Sequence, residues 1–169
     1  MAEAVKQALK DSGVNPERFS LKWASAAEGP RFVELITDYV AHIKSMGPLG
    51  EGEGEPGKDV IMTRLEAAAK ASANRKVRTM LGNLAKKLGK EADYSNEAIL
   101  EGVSSKVFPA FHKERLTQEA LMRLKDKDQL ALSDLAASTG GSEEELNEIL
   151  SALSKKGTVK EAGSGWAIA

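Results

Sequence analysis

The 169-residue sequence predicts a mainly α (α+β) chain: the C-terminal fragment of an α/β domain (helix–strand–helix), a helical middle, and a helix-rich unit closed by a hairpin. Three observations predict it. Apolar residues recur at helical spacing along most of the chain. Period-two alternation is confined to Phe19–Ala24 and the last dozen residues. A Gly/Glu run, Gly50–Gly57, separates the first fifty residues from the rest. The expected division is 1–48, a linker over 49–58, a helical region over 59–113, and a last unit over 114–169.

Residues 2–12 read as a short helix with Val5, Ala8 and Leu9 on one face, stopped at Gly13. Pro16 opens a turn, and Phe19–Ala24 has the alternation of a strand. Phe32, Val33, Leu35, Ile36, Tyr39, Val40 and Ile43 then stripe an amphipathic helix that ends at Gly47-Pro48. Its start has two readings. Ser25-Ala26-Ala27-Glu28 has capping-box spacing, but Pro30 would then sit five residues in, where it removes a needed N–H. Making Ser25–Gly29 a tight turn with Pro30 as first helical residue resolves the conflict. A lone strand leaves its ladder groups unpaired, and about fifty residues is small for an independent fold. The strand therefore belongs to a larger α/β domain or pairs with another chain. The alternative is extended coil packed on the middle helices.

Beyond the linker, 60–73 is an alanine-rich helix. Val77, Met80, Leu81, Leu84 and Leu88 stripe a second that ends near Gly89. A third starts at Ser95 as N-cap, carries Ile99, Leu100, Val103 and Val107, and breaks at Pro109. Leu116, Ala120, Leu121 and Leu124 mark the next helix, and Leu130-Ala131-Leu132 reads as a short strand. Ser133 caps a helix over 134–137. Ser142 with Glu145 forms a capping box ahead of Leu146, Ile149, Leu150 and Leu153, with Gly157 at the helix end. Strands 158–161 and 166–169 flank the turn Ala162–Gly165. Helix, helix–turn–helix, then hairpin is the order of a winged helix.

Composition excludes several chemistries. There is no cysteine, hence no disulfide, thiolate zinc site, cysteine nucleophile or self-contained iron–sulfur cluster. His42 and His112 lie far apart without ligand-spaced neighbours, and both read as structural. No P-loop, G-x-S-x-G or H-E-x-x-H motif occurs. Gly52–Gly57 spells G-x-G-x-x-G, but Glu51, Glu53 and Glu55 would repel a phosphate. No 18-residue apolar run exists, and Glu3 sits where a signal peptide is cationic, so a cytoplasmic protein is expected. Composition points to a binding or subunit role rather than an enzyme.

The net charge of -1 hides opposite segments. Residues 58–90 hold 9 basic and 2 acidic residues, whereas 114–169 hold 7 basic and 10 acidic. The basic helix around Arg75, Lys76, Arg78, Lys86 and Lys87 suits an anionic lipid, a nucleic acid or an acidic protein. Its plainer reading is a core stripe with a solvated cationic face. A winged helix invites a DNA reading. Here Glu143, Glu144 and Glu145 occupy the helix start that would meet base edges, and the wing turn carries no Arg or Lys. A protein partner is expected, not nucleic acid.

Residues 13–48 add a resemblance. Gly13-Val14-Asn15-Pro16-Glu17-Arg18-Phe19, then Leu21-Lys22-Trp23-Ala24-Ser25-Ala26-Ala27-Glu28-Gly29-Pro30-Arg31-Phe32, and finally Ile43-Lys44-Ser45-Met46-Gly47-Pro48, resemble the C-terminal half of the delta (iron–sulfur) subunit of methyl-viologen-reducing hydrogenase. The resemblance implies a module, fused to or partnered with heterodisulfide-reductase-type flavoproteins, that passes electrons through a cysteine-bound two-iron cluster. The family's cysteines lie upstream of this segment, and here only one helix precedes it, so no residue inherits the cluster. It also implies that the turn Ser25, Ala26, Ala27, Glu28, Gly29, with Trp23 and Phe32 around it, lies near the partner. The winged helix is expected as an appended module, and Met1 as a start internal to a longer domain.

The expected function is a non-catalytic docking or assembly segment of an anaerobic electron-transfer complex of the hydrogenase/heterodisulfide-reductase type, without a cofactor of its own. The expected partner is a flavoprotein or iron–sulfur oxidoreductase subunit, without a membrane span. The expected contacts are Trp23, Ser25–Gly29, Phe32, the basic face Arg75/Lys76/Arg78/Lys86/Lys87, and Glu143–Glu145. The alternative is a winged-helix regulator that binds nucleic acid through the basic helix 75–90. A carboxylate-based hydrolase or transferase has no positive support in the chain.

Overall fold

The structure, a computed structural model, describes residues 1–52 and 56–169. Its helices are α1 (Ala2–Asp11), α2 (Gly29–Ser45), α3 (Lys58–Ala73), α4 (Arg75–Glu91), α5 (Asn96–Gly102), α6 (Phe108–Lys125), α7 (Leu132–Thr139) and α8 (Glu143–Ser154). A hairpin of β1 (Val159–Ala162) and β2 (Gly165–Ile168) closes the chain. The chain is mainly helical with one small antiparallel sheet, as the sequence predicts.

Local chemistry explains most boundaries. Gly13 takes φ +82 and stops α1. Asn74 ends α3 in extended conformation and starts α4, its Oδ1 accepting from the Lys76 N–H at 2.8 Å. Ser95 caps α5, accepting from the Ala98 N–H at 3.3 Å. Ser142 and Glu145 form the reciprocal capping box at α8. The strands pair Val159 with Ile168 and Glu161 with Trp166.

Several expectations need correction. Phe19–Ala24 is not a strand: among the described residues no strand pairs with it, and an unpaired ladder cannot persist. Nor is it packed on the middle helices, since Leu21 is 53 % and Trp23 79 % exposed. Helix α2 begins at Gly29, so Pro30 is its second residue, where a missing N–H still costs nothing. Pro109 breaks no helix. It is the second residue of α6, and a π-helical turn, Val103–Val107, carries α5 directly into α6. Helix α4 runs past Gly89 to Glu91, ended by Ala92 at φ +50.

Leu130–Leu132 is not a strand. Only Leu130 pairs, exchanging both backbone hydrogen bonds with Trp166 at 2.8 and 2.9 Å, and Leu132 already opens α7. Residue 165 must be glycine for this bridge, because a Cβ there would lie 2.4 Å from the Leu130 carbonyl oxygen. The N-cap of α7 is Ala131, with no side-chain bond from Ser133. Of the linker, Glu53, Gly54 and Glu55 lie outside the described residues, and with them half of the G-x-G-x-x-G match.

Two apolar clusters meet on α6. Phe111 packs with Ala68, Ala71, Val77, Leu84, Val103 and Val107, under Ala4 and Ala8 of α1. Leu116, Ala120 and Leu124 pack with Leu135, Leu146, Ile149, Leu150, Val159 and Trp166. One long helix therefore supplies both cores. Helix α3 lies along it, and the expected division at 113/114 falls within α6.

Candidate docking surface

Helix α2 buries none of its residues. Its apolar stripe is wide, and its Leu35 and Tyr39 edge faces the rest of the chain, lining a cleft with Lys6, Pro16 and Phe19, with His42 3.8 Å from Glu17. Phe32, Val33, Ile36 and Val40 fall on the other edge by helical spacing and are 57, 63, 47 and 44 % exposed. A water-facing helix has no physical use for such a stripe. Burying these half-exposed side chains would contribute about 1 kcal/mol each.

Polar contacts hold α2 in place. The Arg18 guanidinium donates to the carbonyls of Gly47, Met46 and Pro48 at 2.9, 3.1 and 3.2 Å, and the Tyr39 hydroxyl donates to the Arg18 carbonyl at 2.5 Å. Arg18 thereby caps the C-terminal end of the helix. At its start, Ser25–Glu28 forms a tight turn. The Ser25 N–H donates to Glu28 Oε2 at 2.7 Å, the Ala27 N–H to Ser25 Oγ at 3.3 Å, and Arg31 to Glu28 Oε1 at 3.0 Å. The backbone hydrogen bond from Ser25, helped by Arg31, holds the Glu28 carboxyl below its ordinary value.

The singled-out residues thus occupy three places. Trp23, Ser25, Ala26, Ala27, Gly29 and Phe32 are exposed at the head of α2, with Glu28 half-buried among them. Arg75, Lys76, Arg78, Lys86 and Lys87 are exposed along α4. Glu143, Glu144 and Glu145 are exposed at the start of α8, where they favour the helix dipole and Glu145 completes the cap.

A buried charge network escaped the sequence reading. Asp11 of α1 accepts from His112 Nδ1 at 2.6 Å and from Arg115 Nε at 2.5 Å. Arg115 and Glu119, 1 and 0 % exposed, pair at 2.6 Å, and Arg123 donates to Glu119 Oε1 at 2.6 Å. Arg123 and Arg64 both reach the Ser138 carbonyl, and His112 Nε2 lies 3.7 Å from Glu145. Burial pushes Asp11 up, but hydrogen bonds from His112 and the Arg115 charge outweigh it and hold the carboxyl below its ordinary value. For Glu119 burial wins and raises the carboxyl, although Arg123, Arg115 and Arg64 oppose it. The i, i+4 run Arg115–Glu119–Arg123 was visible in the sequence, next to the apolar positions 116, 120 and 124. Its long-range partner Asp11 was not.

The fold and surface describe a mainly helical chain with an exposed apolar stripe on α2 near its N-terminal end, and comparison with known proteins matches that same end. Residues 1–47 match the family model described as methyl-viologen-reducing hydrogenase, delta subunit. A 68-residue stretch, 40 % of the chain, is 37 % identical to a ferredoxin:CoB-CoM heterodisulfide reductase subunit of Methanosarcina mazei, covering 8 % of that protein. A 48-residue stretch, 28 % of the chain, is 38 % identical to the corresponding subunit of the ferredoxin/F(420)H(2)-dependent CoB-CoM heterodisulfide reductase of Methanosarcina acetivorans, covering 6 % of it. Forty residues, 24 % of the chain, are 42 % identical to the iron–sulfur subunit of an F420-non-reducing hydrogenase from Archaeoglobus profundus, covering 29 % of it. The matches thus span less than a third of each relative. No solved structure matches significantly.

The third relative is named an iron–sulfur subunit. This chain has no cysteine and so forms no cysteine-bound cluster. Among the described residues no three His, Asp or Glu side chains converge to hold a metal, and no helix is long and apolar enough to cross a membrane.

Proposed function

We propose that this chain is a non-catalytic docking and assembly segment of an electron-transfer complex of the hydrogenase/heterodisulfide-reductase type, working in the cytoplasm of an anaerobe. Its partner is a flavoprotein or iron–sulfur protein that carries the cofactors. The observation that carries this reading is α2, an amphipathic helix left without a partner inside the segment that matches the delta-subunit family. Trp23, the Ser25–Gly29 turn and Phe32 form the contact surface, with Ile36 and Val40 extending it along the helix. Within residues 1–48, α2 and the segment leading into it act as the docking arm while α1 anchors it on α6. Beyond 49–58 follow a helical platform over 59–113 and a winged helix over 114–169, which share α6. The Glu143–Glu145 helix start is a second contact for the same assembly.

The mechanism is burial. The four exposed side chains of α2 would supply about 4 kcal/mol to association, and Trp23 adds an aromatic anchor of the kind that dominates interface energetics. The Arg18 and Tyr39 contacts pre-position the arm and lower the ordering cost of binding.

Anaerobic purification of the affinity-tagged full chain from its native host tests this. The expected eluate carries a stoichiometric partner with flavin absorbance and non-haem iron. An eluate with neither flavin nor iron would overturn the proposal.

A further inference from the structure

Helix α4 carries six cations, Arg75, Lys76, Arg78, Lys86, Lys87 and Lys90, against one carboxylate, Glu91 at its last position. All six are exposed, and among the described residues the salt bridge on this helix is Lys87–Glu91 at 3.6 Å. At 100° per residue, Arg75, Lys76, Lys86, Lys87 and Lys90 share one side of the helix, between the small or polar Thr79, Gly82 and Asn83. The array is about 22 Å long at the helical rise of ~1.5 Å per residue. The buried and half-buried positions Val77, Met80, Leu81, Leu84 and Leu88 lie on the opposite side.

Two features set this face apart from ordinary solvated charge. Arg75, Lys76 and Arg78 crowd the first turn, where the helix dipole is positive and carboxylates would be stabilising. Fold stability gains nothing from that placement, whereas an anionic ligand gains twice, from the side chains and from the dipole. The cationic surface also continues off the helix. Lys76 shares a cleft of about 330 Å³ with Asn74, Lys113, Thr117 and Lys156, in which Glu114 is the acidic lining residue. Lys113 is 3.3 Å from Glu148, so its charge is partly neutralised. Lys76 and Lys156 extend the track from α4 towards the C-terminal end of α8.

We propose that this track binds the sugar–phosphate backbone of a nucleic acid, an activity separate from α2 docking and independent of it. The charge complementarity is to a row of phosphates, of which one strand presents about six over 22 Å. Tyr94, 68 % exposed just beyond α4, offers a face on which a base can stack. A protein partner fits less well, because α4 itself presents no apolar side chain among these cations and lysine is depleted in protein interfaces. A membrane fits less well for the same lack of apolar side chains to insert. The binding is without base-edge readout, so it is tolerant of sequence.

Fluorescence anisotropy of the full chain with a labelled 20-nucleotide strand, single and as a duplex, tests the proposal. Binding to at least one probe is expected at 50 mM salt, weakening ~10²-fold by 200 mM as counterion release from about four phosphate contacts becomes less favourable. K86E/K87E and R75Q/K76Q should each weaken binding at least tenfold while circular dichroism and melting stay unchanged. Failure to bind at 50 mM salt would overturn the proposal, as would wild-type affinity in both variants. Equal displacement by polyglutamate at matched charge would also overturn it, marking an acceptor of acidic protein instead.

Discussion

Asp11 joins the first helix to the sixth through a carboxylate that is 8 % exposed and bonded to both His112 and Arg115. Removing one partner of such a pair costs more than the pair contributes, because the other is left charged and buried. Arg115→Met is therefore expected to destabilise the chain by about 3 kcal/mol in urea unfolding, since buried Asp11 and Glu119 each lose a cationic partner. Asp11 also carries a pH signature. Its carboxyl is lowered in the folded state, so its stabilisation is complete above the unfolded value near 4 and is lost as pH falls through the native value. Asp11→Asn should cost about 2 kcal/mol at pH 7, the typical worth of hydrogen bonds to a charged group, and the gap to wild type should narrow progressively below about pH 4. A gap constant down to pH 2 would refute the assignment. This network was only half legible in sequence. Arg115, Glu119 and Arg123 announce themselves by spacing, while a separation of 104 positions between Asp11 and Arg115 hides the contact that gives them a purpose.

Local signals decide most elements, and the exceptions have identifiable causes. The Ser142–Glu145 box, the Ser95 cap and Gly13 are short-range chemistry, and each falls where the spacing predicts. Phe19–Ala24 fails as a strand because alternation specifies faces, not a partner. Pro109 misleads because its missing N–H falls in a first turn, with a π-helical turn ahead of it. Close packing explains that turn's surroundings: a Cβ on Gly102 would lie 2.5 Å from Leu84 Cδ1. Gly102→Ala should therefore destabilise by about 1–2 kcal/mol despite the better helix propensity of alanine, as thermal unfolding would show. Helix α2 makes the opposite prediction. Its outer face touches nothing in the chain's core, so Ile36→Glu should change stability by no more than about 0.5 kcal/mol. A large loss of melting temperature would mean that the face is structural.

Across the whole molecule, α6 is the spine. It feeds both apolar clusters and carries the charge network, so α1, α3 and α8 are all tied to one helix. Helix α2 stands apart from this arrangement, attached through Arg18 and Tyr39 and presenting its apolar edge outward. The resemblance of that arm and its amphipathic stripe are legible in sequence alone. That the stripe stays uncovered required the structure, because periodicity shows which side chains share a face and not what lies over it. We propose that this uncovered face recruits the cofactor-bearing partner. The most direct test is paired anaerobic capture with the wild-type chain and an equally stable Phe32→Glu/Ile36→Glu variant, reading flavin and iron per bait. Stoichiometric flavin and iron are expected on the wild type, and at least a tenfold loss on the variant. Equal retention by both would contradict the proposal.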